Sequence, residues 1–338
     1  MIKPETRPTE PGDDPSALAR ALEPALIEAC EGRLSNIEWF HADWQRGGAA
    51  TGHATWTDDR EPCPVIIKLP VGGVELSWTS RLGDHGLDRD VRVGQIPHPT
   101  PRVFCSGAEL GEYDLGWLVL ENLEGQAVAG DLSEDSIRGL IRAAAEFHAR
   151  SLKKRPKLDA PPESPDWAGI FARSRTSAKD NRIDEWQRWN EAIRTVQKAL
   201  PRLLERWEAR PINTWCHGDL HPGNALHMPG GDGHPDRCVL IDLALIHAGH
   251  WVEDAVYLEH LFWGHEDRLF GIKPFSLMRK ERKARGLDVG ECDTDLANIK
   301  RVLLAAAVPR FIGIEGDRKY VRAALEKIET LMSQLSKL

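Results

Sequence analysis

The second half of the chain contains three polar residues with the types and spacing of a phosphoryl-transfer site. The stretch from His217 to Asn224 reads His-Gly-Asp-Leu-His-Pro-Gly-Asn, and its glycines and proline are typical of a turn. Asp242 follows a short apolar run, at the end of a predicted buried strand. Phosphoryl transfer requires mainly positioning and charge neutralisation. Asp219 is therefore a candidate base, and Asn224 and Asp242 are candidate ligands of a divalent metal.

The order of these residues resembles a known family. His-x-Asp-x-x-x-x-Asn is the spacing of a kinase catalytic loop. The full stretch is similar to that of the aminoglycoside phosphotransferase family, which are small-molecule kinases with a protein-kinase-like fold. In that family a pattern like Ile-Asp, Gly and Asp follows, and here it corresponds to Ile241-Asp242, Gly249 and Asp254.

The resemblance implies a role for each residue of the motif. Asp219 would orient and deprotonate the acceptor hydroxyl, and His217 would support the loop. Asn224 and Asp242 would hold Mg²⁺. Asp254 would brace the loop through hydrogen bonds rather than contact ATP.

Three alternatives compete with a kinase. His217, Asp219 and His221 could be the ligands of a metal-dependent hydrolase, but that interpretation leaves Asn224 unused. Asp219 and Asn224 could be ordinary turn residues that bind their own backbone, which does not explain the second apolar run before Asp242. A kinase-like nucleotide-binding protein without catalysis is the third alternative, and the intact set of polar residues argues against it.

The elements before this motif must supply the phosphate contacts. Gly47 and Gly48 lie in a small-residue loop between two predicted strands, where backbone N–H groups could cover phosphates. The alternative is a plain hairpin turn. Lys68 lies in the apolar run from Pro64 to Pro70, and a buried ammonium group needs an anionic partner. Lys68 is the candidate for contacting the α- and β-phosphates; a lysine that extends to solvent is the alternative.

The sequence offers two acids as the partner of Lys68. Glu75 is only seven positions away, with a proline and two glycines between them, which leaves little chain for a strand to end and a helix to return. Asp90 is twenty-two positions away, in a segment that resembles the helix carrying the family's paired acid. We therefore predict that Lys68 pairs with Asp90, and that Glu75 is exposed or at a helix start.

Two further strands are predicted near Val103 and Leu118, followed by the segment from Glu121 to Leu123. The order strand, strand, strand, helix, strand, strand is that of a kinase N-lobe. By analogy with the family, the backbone of Glu121 and Leu123 would bind adenine.

The remainder of the chain predicts helices. Ser133 is a helix cap followed by acids, and an apolar face with helical spacing follows it, formed by Ile137, Leu140, Ile141, Ala144 and Phe147. The tryptophan-rich segment 167–207 predicts amphipathic helices whose aromatics pack on the lobe; some of them could instead line a substrate pocket. The strongly basic stretch 275–285 is interpreted as a solvated, mobile surface segment.

Composition excludes several classes of protein. The net charge of −8 argues against nucleic-acid binding. The six cysteines are scattered with no Cys-x-x-Cys pair, which favours a reducing cytoplasm over disulfides or a structural zinc. No apolar run approaches the length of a membrane span. The first fifteen residues lack the order of a signal peptide.

Together these patterns predict a two-lobe α+β fold of the protein-kinase-like type, with a small β-rich N-lobe and a larger helical C-lobe. The expected limits are a loosely attached tail at 1–15, an N-lobe at 16–122 and a C-lobe at 123–338. The expected activity is transfer of the γ-phosphoryl group of ATP, with Mg²⁺, to a hydroxyl of a small molecule. The expected location is the cytoplasm, with no nucleic-acid or membrane partner. The acceptor, which could be an aminoglycoside, another amino alcohol, a sugar or an acyl thioester, does not follow from the sequence.

Overall fold

The computed structural model describes residues 15–40, 49–58, 61–84, 98–230, 236–311 and 317–335. The chain divides into two compact units. The first comprises Met1–Arg92 and Thr100–Glu124, and the second comprises Val93–Pro99 and Gly125–Leu338. The predicted α+β class is confirmed, with a β-sheet in the first unit and mainly helices in the second.

The first unit is built on an antiparallel sheet of five strands with the order β1-β2-β3-β5-β4. Helix α1 precedes the sheet in the chain, and helix α2 connects β3 to β4. The bounds are α1 Pro15–Ala29, β1 Leu34–Phe40, β2 Ala50–Trp56, β3 Cys63–Val71, α2 Gly73–Gly83, β4 Val103–Gly107 and β5 Gly116–Glu121. This is the predicted element order.

Strand β3 shows why its lysine can be accommodated. Val65, Ile67 and Leu69 alternate along the strand and are fully buried, in one core with residues of α1. Successive side chains of a strand point to opposite faces. Lys68 therefore lies on the other, less buried face, where 22% of its side chain is exposed.

The second unit contains the remaining helices and five short strands among the described residues. Their bounds are β6 Gln126–Ala127, α3 Glu134–Lys154, α4 Trp167–Asp180, α5 Trp186–Glu208, β7 Thr214–Cys216, β8 Ala225–Met228, β9 Arg237–Leu240, β10 His247–Gly249, α6 Val252–His260, α7 Pro274–Ala284, α8 Asp293–Ala307 and α9 Arg318–Leu335. Strands β6, β8 and β9 form one small antiparallel sheet, and β7 pairs with β10.

Helix α3 begins where its sequence indicates. The Ser133 hydroxyl accepts a hydrogen bond from the N–H of Ser136, and the Ser136 hydroxyl accepts one from the N–H of Ser133. Such reciprocal capping satisfies donors that a helix start leaves free. The predicted apolar face is confirmed, since all of its five members are fully buried: Ile137, Leu140, Ile141, Ala144 and Phe147.

The aromatic residues of the segment 167–207 mostly pack in the interior. Trp167, Phe171, Trp189 and Trp207 are buried, whereas Trp186 is half-buried. The interpretation as amphipathic helices with core-facing aromatics is therefore confirmed for these four residues, which lie on α4 and α5.

The basic stretch 275–285 differs from its prediction. It forms most of helix α7, and both Met278 and Arg282 on this helix are fully buried. Charge density alone led to the surface interpretation, which was wrong because the helix turns one arginine inward while its neighbours Lys280 and Lys283 stay exposed. No helix of the described residues is long and apolar enough to cross a membrane.

Candidate active site

The loop from His217 to Asn224 lies between β7 and β8, and it ends in one turn of 3-10 helix, Pro222–Asn224. Strand β9 returns antiparallel to β8 with Leu240 opposite Ala225. The N–H of Ile241 donates to the carbonyl of Asn224 at 3.0 Å. Asn224, directly before β8, and Asp242, two residues after β9, therefore lie at the same edge of this sheet. Sequence spacing had predicted these two residues as partners.

Asp219 has hydrogen-bond donors on both carboxylate oxygens. The Asn224 side-chain amide donates to Oδ2 at 3.1 Å and also to the Asp219 carbonyl at 3.1 Å. The hydroxyl of Tyr257, on α6, donates to Oδ1 at 2.6 Å. The Nε2 atom of His221 lies 3.5 Å from Oδ2. The structure thus brings the predicted base and the predicted metal ligand Asn224 into direct contact.

Asp254 holds the backbone of the loop. Its Oδ2 accepts the N–H of His217 at 2.8 Å, and its Oδ1 accepts the N–H of Gly218 at 3.0 Å. His148, on α3, donates from Nε2 to Oδ2 at 2.9 Å. Burial opposes ionisation of Asp254, but these hydrogen bonds outweigh it and hold the pKa of the carboxyl below its usual value. The bracing contact that the family resemblance implied is present.

Gly218 lies in the left-handed region, with φ +83°. A Cβ atom at this position would lie 2.1 Å from the carbonyl oxygen of Leu245. Both the backbone conformation and the available space therefore require glycine here.

His217 is fully buried, and both of its ring nitrogens serve the loop. Nε2 donates to the carbonyl of Ile241 at 3.1 Å, and Nδ1 accepts the N–H of Asp219 at 3.3 Å. Burial lowers the pKa of His217, which favours the neutral ring that this pattern requires. Because neither nitrogen is available as a ligand, the geometry argues against the hydrolase site of His217, Asp219 and His221.

Arg282 supports this arrangement from helix α7. Its Nη1 atom donates to Nδ1 of His148 at 3.1 Å, while His148 uses Nε2 for Asp254. Burial lowers the pKa of His148, whose ring is fully enclosed. A continuous chain of hydrogen bonds therefore runs from α7 through α3 to the loop. The sequence contained no signal for Arg282, because it lies within a run of basic residues.

A second polar cluster lies beside β7 and β10. One potential ligand atom each of Cys216, His247 and Glu253 lies within 4.8 Å of the others. Glu253 already accepts from Nε of Arg210 at 3.1 Å, and Nζ of Lys300 lies 4.0 Å away. Despite burial, the nearby His247 ring, whose Nε2 lies 3.7 Å away, and the two cations lower the pKa of Glu253 to about 2. We interpret this cluster as an ionic network that connects β10 to its surroundings.

In the first unit, the ammonium group of Lys68 forms an ion pair with Glu75, in the first turn of α2. Glu75 lies at a helix start, as one of the two predicted alternatives had it, but it is buried rather than exposed. The prediction that it is too close in sequence to pair with Lys68 was wrong. The helix begins at Gly73, two residues after the strand ends, and this tight turn brings the carboxylate back over Lys68. Asp90, the predicted partner, lies outside the described residues, as do Gly47 and Gly48.

The segment predicted to bind adenine begins at the end of β5. The N–H of Glu121 donates to the carbonyl of Arg102 at 2.9 Å, and the Glu121 carboxylate accepts the N–H of Arg102 at 3.2 Å. These contacts fix Glu121 to the edge strand β4. Leu123 is half-buried. The adenine role of both residues stays a prediction.

Comparison with known proteins gives the family. A model of the phosphotransferase enzyme family matches residues 75–280, which is more than half of the chain. The chain belongs to this family. The matched range contains the whole loop 217–224, together with Asp242 and Asp254. The resemblance drawn from the motif is therefore confirmed.

One curated member of the phosphotransferase family matches part of the chain. An aminoglycoside 3'-phosphotransferase of Streptomyces fradiae is 31% identical over 137 residues, which are 39% of this chain and 48% of that protein. The chain thus spans about half the length of this curated relative.

Among solved structures, a candidate aminoglycoside phosphotransferase of Ralstonia eutropha has a TM-score of 0.56 and 13% identity, and the match covers 94% of this chain and 98% of the other. A microcompartment-associated aminopropanol kinase has a TM-score of 0.53 and 17% identity, covering 95% and 97%. At these identities the structural matches show the fold alone.

Proposed function

We propose that this protein transfers the γ-phosphoryl group of ATP to a hydroxyl group of a small molecule. The observation that supports this most directly is the carboxylate of Asp219, held by the amide of Asn224 in a loop whose backbone is fixed by buried Asp254. Phosphoryl transfer depends on such preformed positioning. Membership of the phosphotransferase family supports the same reaction class.

Asp219 is the base in this proposal. Its side chain is about a quarter exposed, at 27%, so an acceptor hydroxyl can reach it. The proton of the hydroxyl moves to a carboxylate oxygen of Asp219 as the hydroxyl oxygen bonds to the γ-phosphorus. The bond between that phosphorus and the β,γ-bridging oxygen breaks, and ADP leaves. His217 and Asp254 hold the loop in place during this step and do not exchange protons with the substrate.

The residues present fit Mg²⁺. Asn224 turns its amide nitrogen towards Asp219, so its oxygen remains available for a cation. Asp242 contributes an exposed carboxylate at the same edge of the sheet. Amide and carboxylate oxygens are the ligands that Mg²⁺ prefers. When bound, Mg²⁺ would neutralise charge on the phosphate oxygens.

Lys68 is the proposed phosphate contact of the first unit. Its ion pair with Glu75 fixes the ammonium group on the less buried face of the sheet. A lysine held in this way provides a positioned positive charge for the α- and β-phosphates. The backbone of Glu121 and Leu123 remains the proposed adenine contact.

The proposed acceptor is a small molecule with a hydroxyl group. The relatives' names include an aminoglycoside kinase and an aminopropanol kinase. The net charge of −8 suits a cationic acceptor. We therefore place amino alcohols and aminoglycosides first among the compounds to be tested, followed by sugars and acyl thioesters.

The test is ADP release from Mg-ATP in the presence of these compounds. We expect one class to be phosphorylated, and Asp219→Asn to reduce turnover about 10²–10⁴-fold, because the amide cannot accept the proton. Thermal stabilisation by Mg-ATP should be largely kept in this variant. The matched control is Asp180→Asn, at the exposed end of α4, which should retain full activity.

Other results would favour the alternatives. Stabilisation by Mg-ATP without turnover on any acceptor would favour a nucleotide-binding protein without catalysis. A tightly held Zn²⁺ in the purified protein would favour a hydrolase. Full activity of Asp219→Asn on the true acceptor would contradict the assignment of Asp219 as the base.

A further inference from the structure

Tyr257 contacts the proposed base, and no sequence pattern pointed to it. Its hydroxyl donates to Oδ1 of Asp219 at 2.6 Å, the shortest of the contacts to this carboxylate. The side chain is half-buried, on helix α6. Burial and the adjacent carboxylate raise the pKa of Tyr257, so the phenol stays protonated and remains a donor at any pH at which the protein would act.

The groups around the Asp219 carboxylate leave few directions from which an acceptor hydroxyl can donate to it. An ionised carboxylate has about four lone-pair sites, two on each oxygen. Oδ2 is faced by the Asn224 amide at 3.1 Å and by Nε2 of His221 at 3.5 Å. The His221 ring accepts the N–H of Gly223 at Nδ1, so Nε2 carries the proton. Nε2 screens Oδ2 from a distance of 3.5 Å without forming a hydrogen bond to it. Tyr257 takes one site of Oδ1, which leaves the other site of this oxygen for an acceptor hydroxyl.

The position of Tyr257 follows from helix geometry. Tyr257 comes three residues after Asp254 on α6, so both side chains lie on the same face of the helix. Asp254 accepts the N–H groups of His217 and Gly218, while Tyr257 donates to the carboxylate of the next residue, Asp219. One helix therefore sets both the backbone of the loop and the orientation of its carboxylate.

We propose that Tyr257 is a positioning residue of the acceptor site, which orients the Asp219 carboxylate so that a single lone pair faces the incoming hydroxyl. This role rests on the proposed function. Without the phenol hydroxyl, the carboxylate is held mainly at Oδ2 and can turn, and a second site on Oδ1 opens to water. Correct orientation of the reacting groups contributes much of the rate in such reactions, and a displacement of about 1 Å can cost about 10²-fold.

The kinetic test compares Tyr257→Phe with the wild-type protein, using the acceptor found in the ADP-release screen and, separately, Mg-ATP alone. We expect kcat for transfer to fall about 10- to 100-fold, with KM for ATP unchanged. The ratio of ATP hydrolysis to transfer should rise. A purely structural role would instead lower hydrolysis and transfer together. The control is Tyr113→Phe, which removes the same hydroxyl from the exposed tyrosine between β4 and β5.

A spectroscopic test does not depend on turnover. The chain has only three tyrosines, so incorporation of 3-fluorotyrosine gives three ¹⁹F resonances that Tyr→Phe variants assign. Asp219→Ala should shift the resonance of Tyr257 and leave that of the exposed Tyr113 in place. An unmoved Tyr257 resonance would overturn the contact on which the proposal depends.

The two tests separate this proposal from the proposed function. In a wild-type protein that transfers phosphate, an unchanged kcat and an unchanged hydrolysis ratio in Tyr257→Phe overturn the positioning role alone. A wild-type protein that transfers phosphate to no acceptor overturns the proposed function and this role with it. Phosphate found covalently on Tyr257 after incubation with Mg-ATP would also overturn the proposal, because the phenol would then be an acceptor itself.

Discussion

At the scale of single residues, the loop depends on a glycine as much as on its charged groups. Gly218 combines a φ of +83° with a position where any Cβ would meet the carbonyl of Leu245. Its N–H is also one of the two that Asp254 accepts. A side chain here would displace the residue directly before the proposed base.

This leads to a prediction with an internal control. Gly218→Ala should destabilise the protein, because it adds both the left-handed backbone strain, about 1–3 kcal/mol, and a steric clash. Gly271→Ala adds the strain alone, since Gly271 has a φ of +78° and no neighbouring atom within 4 Å of the place that the added methyl group would take. Chemical denaturation should show the larger loss of unfolding free energy for Gly218→Ala. Equal losses would show that the loop moves aside without cost.

Residue scale is also where sequence analysis worked best. The predicted base and Asn224 are in direct contact, because the whole motif lies within eight consecutive residues and a turn keeps them close. Tyr257 could not be found in this way, since its contact depends on where a distant helix is placed. Nothing in the sequence around Tyr257 distinguishes it from an ordinary helix residue.

At the scale of elements, the β3–α2 connection shows how a short turn can join a lysine to its acid. The sequence predicts against Glu75 as a partner, because only six residues separate it from Lys68. That prediction assumed a wide turn. The structure instead starts α2 at Gly73, and Glu75 already lies in its first turn. Sequence separation limits how far a chain can reach, but it does not prevent two nearby elements from folding back on each other.

A double-mutant cycle tests this ion pair. Lys68→Met and Glu75→Gln each remove one charge, and the double variant removes both. We expect the two changes to be non-additive by about 0.5–3 kcal/mol in unfolding free energy, as for residues in direct contact. In the control cycle, Glu61→Gln replaces Glu75→Gln. Glu61 is an exposed acid just before β3, so its effect and that of Lys68→Met should be additive. Additive behaviour of Lys68 and Glu75 would argue that the pair does not form in solution.

Helix α7 is a second case in which the packing of an element, and not its composition, determines where a charged residue lies. A run of basic residues usually lies in solvent. Arg282 nevertheless points inward, because His148 and Asp254 provide an acceptor and a negative charge within the fold. The partner residues lie on α3 and α6, more than a hundred and about thirty positions away in the sequence. Such a contact is visible only once the helices are packed.

At the scale of the whole molecule, three buried or half-buried histidines contribute to the response to pH. Burial lowers the pKa of His148, His217 and His260. The folded protein therefore binds fewer protons than the unfolded chain near the ordinary histidine pKa of about 6.5. Their contribution to stability is present above this pH and is lost as the pH falls. His247, whose pKa is raised, acts in the opposite direction.

We expect the melting temperature to fall between pH 7.5 and pH 5.5, because among the described histidines those with a lowered pKa outnumber the one with a raised pKa. His148→Gln keeps an N–H donor for Asp254 but does not titrate. This variant should be less stable at pH 7.5 and should lose less stability on acidification than the wild-type protein. His53→Gln, at an exposed position on β2, is the matched control. If the melting temperature of His148→Gln fell with pH as steeply as that of the wild-type protein, His148 would not contribute to the pH dependence.

The shared face of α6 has a consequence for changes in chain length. Asp254 and Tyr257 reach the same loop only because three residue steps return a helix to nearly the same side. One inserted or deleted residue between them would rotate Tyr257 by about 100° and move it by about 1.5 Å along the axis. Substitutions of Ala255 and Val256 are limited by the space and the apolar surroundings of the core, where both are fully buried. Insertions and deletions between Asp254 and Tyr257, however conservative in composition, would disconnect the loop from one of the two residues with which α6 holds it.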